Sequence, residues 1–111
     1  MPLNQILSAS MDTLVQPLGV SQTWQTLTGS RALGTTYTNS TGRPIYVSIV
    51  VNPANTSSSA TLSINSIPAA YAQGFVSLAI GITIYGIVPS GGTYAVTTTG
   101  TTTMSVWAEL R

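Results

Sequence analysis

The side chains that could carry chemistry in this chain are few: two carboxylates, Asp12 and Glu109, and three arginines, Arg31, Arg43 and Arg111. Histidine, cysteine and lysine do not occur, so the usual general base, thiol nucleophile and Schiff-base amine are missing. A glycosidase needs two carboxyl groups within about 5–10 Å, and here only a pair assembled between subunits could supply them, because the two lie at opposite ends of the sequence. We therefore expect no enzymatic activity. Glu109 is expected to be solvated, or paired with Arg43 or Arg111 at a strand end.

The same scarcity argues against cofactors and several classes of partner. Two carboxylates without histidine or cysteine do not make a dedicated metal site. Three scattered arginines cannot neutralise the several phosphates that nucleic-acid binding requires. The longest apolar run, residues 75–88, is interrupted by polar residues and is shorter than the about 20 residues of a membrane span. We expect no cofactor, no metal, no nucleic-acid partner and no membrane insertion.

What the sequence offers a ligand is aromatic rings beside amides and hydroxyls. Tyr71 and Gln73 fall in residues 67–74 and Asn55 falls in residues 52–59, two stretches that are predicted to be loops. An aromatic ring stacks on the apolar face of a sugar while amides provide hydrogen bonds. We predict Tyr71, Gln73 and Asn55 as ligand-binding residues, with a subunit interface as the alternative for Tyr71. Because one short strand separates the loops, we expect them at opposite ends of a sheet unless the second folds back.

The composition indicates a chain that associates with copies of itself. Charged residues make up 5% of the 111 residues, whereas about a quarter is typical. Hydrophobic residues make up 43%, and most of the polarity comes from 18 threonines and 14 serines. Threonine suits the pleated surface of a strand. So few charges give a surface little protection against association.

Alternation and turn signals predict an all-β domain over residues 21–111, an antiparallel β-sandwich or jelly-roll-like knob. Its strands are placed in the stretches that alternate between apolar and polar residues, namely residues 35–38, 45–51, 60–65, 75–88, 93–98 and 104–110. Clusters rich in Gly, Pro, Asn and Ser separate them, including residues 39–42 and 89–92.

Residues 75–88 are the most apolar of these stretches and are interpreted as one strand that is covered on both faces. The even-numbered positions form a core face, and the odd-numbered positions, including Phe75 and Tyr85, meet either another subunit or a further layer of the same domain. Trp107 is out of phase with the positions that define the last core face, Met104, Val106 and Ala108. We predict Phe75, Tyr85 and Trp107 as subunit-interface residues.

Residues 1–20 are predicted to form an N-terminal stem or linker. Helix-like spacing relates five apolar residues: Leu3, Ile6, Leu7, Leu14 and Val15. Pro2 suits a first helical position and Pro17 ends the run. Three interpretations of this segment stay open: a stem that bundles with its copies, a helix that packs on its own domain, or a frayed tail.

Both ends of the predicted domain resemble a known family. Residues 19–25 (GVSQTWQ) and 34–45 (GTTYTNSTGRPI), with the later 88–94 (VPSGGTY) and 107–111 (WAELR), are similar to a block found near the C-termini of tail-fibre proteins of tailed bacteriophages and prophages. The resemblance runs from about residue 19 to residue 111. It is specific at its two ends, and over residues 51–87 only the strand pattern matches.

The resemblance implies a homotrimeric, β-rich knob at a fibre tip, made in the host cytoplasm and located in the virion. Such a knob attaches the phage to a bacterial cell-surface glycan or protein and contacts other fibre or tail proteins. The family motif implies no particular contact residue. A structural cap or trimerisation module of a viral fibre or spike is the alternative, and a capsule-degrading enzyme is disfavoured by the missing catalytic side chains.

Overall fold

The computed structural model describes residues 17–76 and 79–111, which form two packed, four-stranded antiparallel sheets. The strands are β1 (Trp24–Thr26), β2 (Tyr37–Thr38), β3 (Ile45–Pro53), β4 (Ser59–Ile64), β5 (Ile67–Gln73), β6 (Ile82–Val88), β7 (Thr93–Thr99) and β8 (Thr102–Leu110). A short 3₁₀ turn, Thr28–Ser30, follows β1. The predicted all-β sandwich is confirmed. The predicted stem lies outside the described residues over positions 1–16.

The strands pair in a nested order. Sheet A has the order β1-β8-β3-β6 and sheet B has the order β2-β7-β4-β5. The first strand therefore pairs with the eighth, the second with the seventh, the third with the sixth and the fourth with the fifth. Two further pairings, β3 with β8 and β4 with β7, join these pairs into sheets. A long hairpin wound into two layers in this way is a jelly roll.

The pattern of β3 explains why the two sheets pack together. Its residues alternate between buried and half-buried positions along all nine residues. The buried set consists of Ile45, Val47, Ile49 and Val51, with Pro53 at the end of the strand. Sheet B supplies the opposing buried side chains, Ala60, Leu62, Ala72, Tyr94 and Val96. Each large aliphatic side chain buried here contributes about 1.5–3 kcal/mol to stability.

The turn before β3 is held by the side chain of Asn39, which is buried. Its Nδ2 donates to the carbonyl oxygens of Arg43, Val88 and Pro89 at 2.7, 3.1 and 3.1 Å. Its Oδ1 accepts from the backbone N–H and the hydroxyl of Thr41 at 3.2 and 2.7 Å. This side chain therefore ties the start of β3 to the end of β6.

Residues 67–74 were predicted to be a loop, and that prediction is wrong, because most of the stretch is strand β5. β5 pairs with β4 through a two-residue turn, Asn65-Ser66, in which both residues have positive φ (52° and 65°), as a type I′ hairpin requires. Asn-Ser is a weaker hairpin signal than Asn-Gly, and Pro68 counts against a strand. Proline is accommodated because β5 is the edge strand of sheet B.

The strand predicted over residues 75–88 is shorter in the structure, where β6 begins at Ile82. Residues 74–76 and 79–81 belong to the connection from β5 in sheet B to β6 in sheet A and continue neither ladder. Positions 77 and 78 of the predicted strand lie outside the described residues. Within β6 the predicted alternation is observed. Ile84 and Val88 are buried, while Tyr85 and Ile87 are exposed.

Trp107 was predicted to point away from the core, and the structure corrects this, because its side chain is fully buried. The register of β3 against β8 shifts so that Val50 lies opposite Val106 but Val51 lies opposite Met104, which leaves one extra residue on β8. A bulge of this kind reverses the alternation beyond it. Trp107 and Met104 consequently face the core while Val106 faces outward, and Trp107 belongs to the interior of the domain.

Candidate interaction surfaces

The outer surface of sheet A carries several large, exposed apolar side chains. Residues directly opposite each other in an antiparallel ladder project from the same face. Trp24 lies opposite Leu110, Leu110 opposite Tyr46, and Tyr46 opposite Ile87, so these four form one row across all four strands. Tyr85 and Val106 project from the same side in neighbouring rows. We call this surface the aromatic face; it comprises Trp24, Tyr46, Tyr85, Ile87, Val106 and Leu110.

The aromatic rings of this face contact one another. Trp24 meets Tyr46 edge to face, with ring centroids 5.7 Å apart and an interplanar angle of 88°. Tyr46 stacks with Tyr85 at 5.9 Å and 28°. Trp24 and Tyr85 nevertheless remain 56% and 58% exposed. None of the residues that define the face is charged, and a continuous apolar patch of this kind marks an interaction site.

The outer surface of sheet B has a different chemistry. Thr61 lies opposite Tyr71 on one side and Thr97 on the other, and Ser59 lies opposite Gln73 and Thr99 in the next row. We call this surface the hydroxyl face; it comprises Ser59, Thr61, Ser63, Tyr71, Gln73, Thr93, Thr97 and Thr99. Ser59 and Thr99 share a hydrogen bond of 2.6 Å between their hydroxyls. The face offers hydroxyl groups, one amide and one aromatic ring, and no charged residue lies in any strand of sheet B.

The predicted ligand-binding residues lie close together, because the second segment folds back along β4, which is the exception that the sequence-based prediction allowed. Because residues 67–73 run back along β4, Gln73 returns to the connection between β3 and β4. Its Nε2 donates to the carbonyl oxygen of Thr56 at 2.9 Å, and its Oε1 accepts from the Tyr71 hydroxyl at 3.4 Å. The Tyr71 ring is 59% exposed beside this amide. The role of these residues in ligand binding stays a prediction.

Asn55 uses its side chain to shape the connection in which it lies. Its Oδ1 accepts from the backbone N–H of Ser57 at 2.9 Å and from the hydroxyl of Ser58 at 3.0 Å. The carbonyl oxygen of Asn55 accepts from the backbone N–H of Ser58 at 3.0 Å. The backbone of Gly74 packs directly on Asn55, so closely that a side chain at Gly74 would collide with it. Asn55 therefore positions the segment against which Gln73 rests, and its amide Nδ2 is the group it could offer a ligand.

The three predicted interface residues occupy three different environments. Tyr85 lies on the aromatic face, and Phe75 is 69% exposed in the connection that follows β5, outside both sheets. Trp107 is buried in the core. Sequence reasoning missed Trp24 as a member of the aromatic face, because β1 has only three residues and is too short for periodicity to reveal.

A buried charged cluster lies behind the aromatic face. Glu109 is fully buried and forms salt bridges with Arg31 and Arg111 at 3.0 and 2.9 Å. Its Oε2 also accepts from the Tyr94 hydroxyl and from Trp107 Nε1, both at 2.9 Å. Glu109 was predicted to be solvated or paired with Arg43 or Arg111; pairing with Arg111 is observed, and its second partner is Arg31.

The remaining arginine has another role. Arg43 donates to the carbonyl oxygens of Pro17, at 2.9 Å, and of Val20. It thereby fastens the segment that precedes β1. The pairing of Arg31 with Glu109 was not predicted from the sequence, because the two residues are 78 positions apart and Arg31 lies between strands.

The electrostatics of the Glu109 cluster favour the protonated forms of its neighbours. Burial and the adjacent charge of Glu109 raise the pKa of the Tyr94 phenol. Burial alone would lower the pKa of Arg31, but hydrogen bonding to Glu109 and its charge outweigh burial and raise it. Both groups therefore stay protonated over the physiological range and donate hydrogen bonds to the Glu109 carboxylate. All of these groups bond to one another within the domain, so we interpret the cluster as stabilising the fold and not as a binding site.

Comparison of the chain with models of protein families, with curated proteins and with solved structures finds no match in any of the three. Among the described residues there is no helix with the length and apolarity that crossing a membrane requires.

Proposed function

We propose that this chain is the tip module of a bacteriophage tail fibre, a homotrimer that attaches the virion to a glycan or protein on the bacterial surface. Two lines support the proposal. One is the resemblance of residues 19–45 and 88–111 to the C-terminal block of tail-fibre proteins. The other is the distribution of side chains over the two sheets, which suits a module that has one face for its own copies and another for a ligand.

The observation that carries the proposal is the contrast between the aromatic face and the hydroxyl face. The aromatic face has Trp24 and Tyr85 more than half exposed and no charge among its residues, so covering it would release a large apolar area from water. A second copy of the chain is a suitable cover, because an uncharged surface meets its copy without charge repulsion. The hydroxyl face carries groups that hydrogen-bond equally well to water and to a polar ligand.

The proposed role is non-enzymatic. The single carboxylate among the described residues, Glu109, is buried and accepts hydrogen bonds from two arginines, a tyrosine and a tryptophan. A carboxylate held in this way cannot reach a substrate. The whole sequence, moreover, contains no histidine, cysteine or lysine to act as a base or nucleophile.

A structural cap or trimerisation module is the alternative, and one observation favours it. The Tyr71 hydroxyl and both polar atoms of the Gln73 amide already have partners within the domain. A ligand would have to compete with these contacts, whereas a cap would need no ligand at all.

Adsorption to cells separates the two functions. Fluorescently labelled chain is mixed with strains susceptible to the phage whose genome carries this sequence, and bound protein is measured with and without excess unlabelled chain. Saturable binding that also blocks phage adsorption is expected for a tip. A trimer that binds none of these strains would contradict the attachment function and leave the cap.

A further inference from the structure

A shallow cavity opens at the end of the hydroxyl face away from Gln73. It has a volume of about 180 Å³ and is lined by Thr36, Ser63, Ser66, Thr93, Tyr94 and Ala95. Pockets that enclose a drug-sized ligand measure about 300–1,000 Å³. This cavity therefore has room for one ring-sized group that stays partly in solvent.

The hydroxyl groups of the cavity are available to a ligand. In the described part of the chain, the side-chain oxygens of Thr36, Ser63, Ser66 and Thr93 take part in no intramolecular hydrogen bond. Elsewhere on the sheet, by contrast, Ser59 bonds to Thr99. A hydroxyl both donates and accepts, so four of them around one cavity match the hydroxyls of a sugar ring.

The cavity and the Tyr71 ring lie on the same surface. Ser63 follows Thr61 by two residues on β4, a separation of about 6.5–7 Å along a strand. Thr61 lies directly opposite Tyr71. Tyr71 lies one strand further across the sheet, a spacing of about 4.8 Å, on the side of β4 away from β7. A short oligosaccharide can span the separation, with one ring in the cavity and a further ring against the exposed face of Tyr71.

The charge distribution restricts the kind of sugar. The four strands of sheet B contain no charged residue. Arg31 and Arg111 are engaged with Glu109, and Arg43 is engaged with backbone carbonyls near residues 17–20. A carboxylate or phosphate on the ligand would lose its hydration without gaining a cation, which is unfavourable.

We infer that the hydroxyl face binds a neutral oligosaccharide, with one ring in the cavity at Ser63 and Thr93 and a further ring stacked on Tyr71. This inference rests on the proposed attachment function and specifies its ligand. It excludes acidic glycans as the primary receptor.

Direct binding to defined sugars tests the inference. The full chain is passed over immobilised oligosaccharides of equal length, some built of neutral hexoses or N-acetylhexosamines and others containing uronic acid or phosphate. We expect at least one neutral series to bind and the acidic series to remain unbound. The double variant Ser63→Ala/Thr93→Val should weaken neutral binding about tenfold, the loss expected for one or two hydrogen bonds.

Two further variants distinguish loss of sugar contacts from loss of the folded structure. Thr103→Val makes the same change on an exposed position of β8, on the other sheet, and should leave sugar binding unchanged. Thr36→Ala, at a cavity position outside the strands, provides a second cavity variant if the double variant is unstable. Equal binding of acidic sugars, or full binding by both cavity variants, would overturn the inference.

Cell adsorption separates failure of the inference from failure of the proposed function. If the chain binds susceptible cells but no sugar in either series, the attachment function stands and the receptor is not the neutral glycan inferred here. If it binds neither cells nor sugars, both the attachment function and the inference fail.

Discussion

Tyr46 and Tyr85 stack across the β3–β6 pair with their ring centroids 5.9 Å apart, on the outer side of sheet A. Trp24 packs nearly perpendicular to Tyr46 from the opposite side, at 5.7 Å. The rings therefore support each other while more than half of Trp24 and of Tyr85 stays exposed. An apolar surface held in a fixed arrangement in this way loses little conformational entropy when a partner covers it.

The first prediction is that the chain is a trimer in solution and that Tyr85→Glu disrupts it. A carboxylate buried on the aromatic face would lack a cation, and we expect a loss of about 2–4 kcal/mol in assembly free energy. Light scattering after size-exclusion chromatography measures the state. Tyr71→Glu is the matched control, because Tyr71 is equally exposed on the other sheet. A stable wild-type monomer at micromolar concentration, or a Tyr85→Glu trimer, would contradict the prediction.

The second prediction is that Tyr71→Ala weakens binding to cells or glycan by about 1–3 kcal/mol, the range of an exposed aromatic contact residue. Tyr71 makes a single hydrogen bond, to Gln73, so the trimer and its Tm should hardly change. Titration of labelled chain on cells, beside thermal unfolding, provides both quantities. Tyr71→Phe keeps the ring and should retain most of the affinity. Binding that survives Tyr71→Ala, or that is lost only together with the fold, removes Tyr71 from the site.

The third prediction concerns the buried cluster. Glu109→Gln should lower the free energy of unfolding by about 3 kcal/mol, because it leaves Arg31 and Arg111 without a counter-charge in a largely buried setting. Chemical denaturation monitored by tryptophan fluorescence measures the loss, since Trp107 contacts the same carboxylate. Gln25→Ala, at the exposed position opposite Glu109 on β1, should change stability little. A Glu109→Gln protein as stable as the wild type would show that the ion pairs contribute nothing net.

The fourth prediction is a loss of stability at alkaline pH. The folded-state pKa of Tyr94 lies above the value of about 10 in the unfolded chain. The contribution of Tyr94 to the free energy of unfolding is therefore complete below about pH 10 and is lost as the pH rises through the folded-state pKa. Unfolding free energies measured from pH 8 to pH 11.5 should fall at the upper end, and Tyr94→Phe should flatten that slope. An identical slope in the variant would assign the alkaline loss to other groups.

The sequence was most informative where the chain repeats a simple alternation. β3 and β7 could be placed because Ile45, Val47, Ile49 and their neighbours alternate over many residues with one buried face. β5 could not, because Pro68 and a run of alanines hide a strand whose pairing depends on the backbone of the Asn65-Ser66 turn.

The face of Trp107 was predicted incorrectly for a related reason. A single bulge between β3 and β8 changes which residues point inward, and a bulge leaves almost no local trace in a sequence. For the candidate surfaces, Tyr71, Gln73 and Tyr85 could be selected from the sequence because aromatics and amides are recognisable one at a time, and the structure places them exposed on the two faces. Their ligand and interface roles stay predictions. Their grouping into two chemically distinct faces depends on the strand order, which only long-range pairing determines.

The nested strand order also bears on how quickly the domain can form. β4 and β5 meet through a two-residue turn, so they can pair within microseconds. The outermost pair, β1 with β8, and the contact of Arg31 with Glu109 across 78 residues must instead close nearly the whole chain. Loop closure over such a distance is entropically unfavourable until the inner pairs are in place. We therefore expect folding to proceed from the innermost hairpin outward, slowly, with the aromatic row that runs through Trp24 completed last.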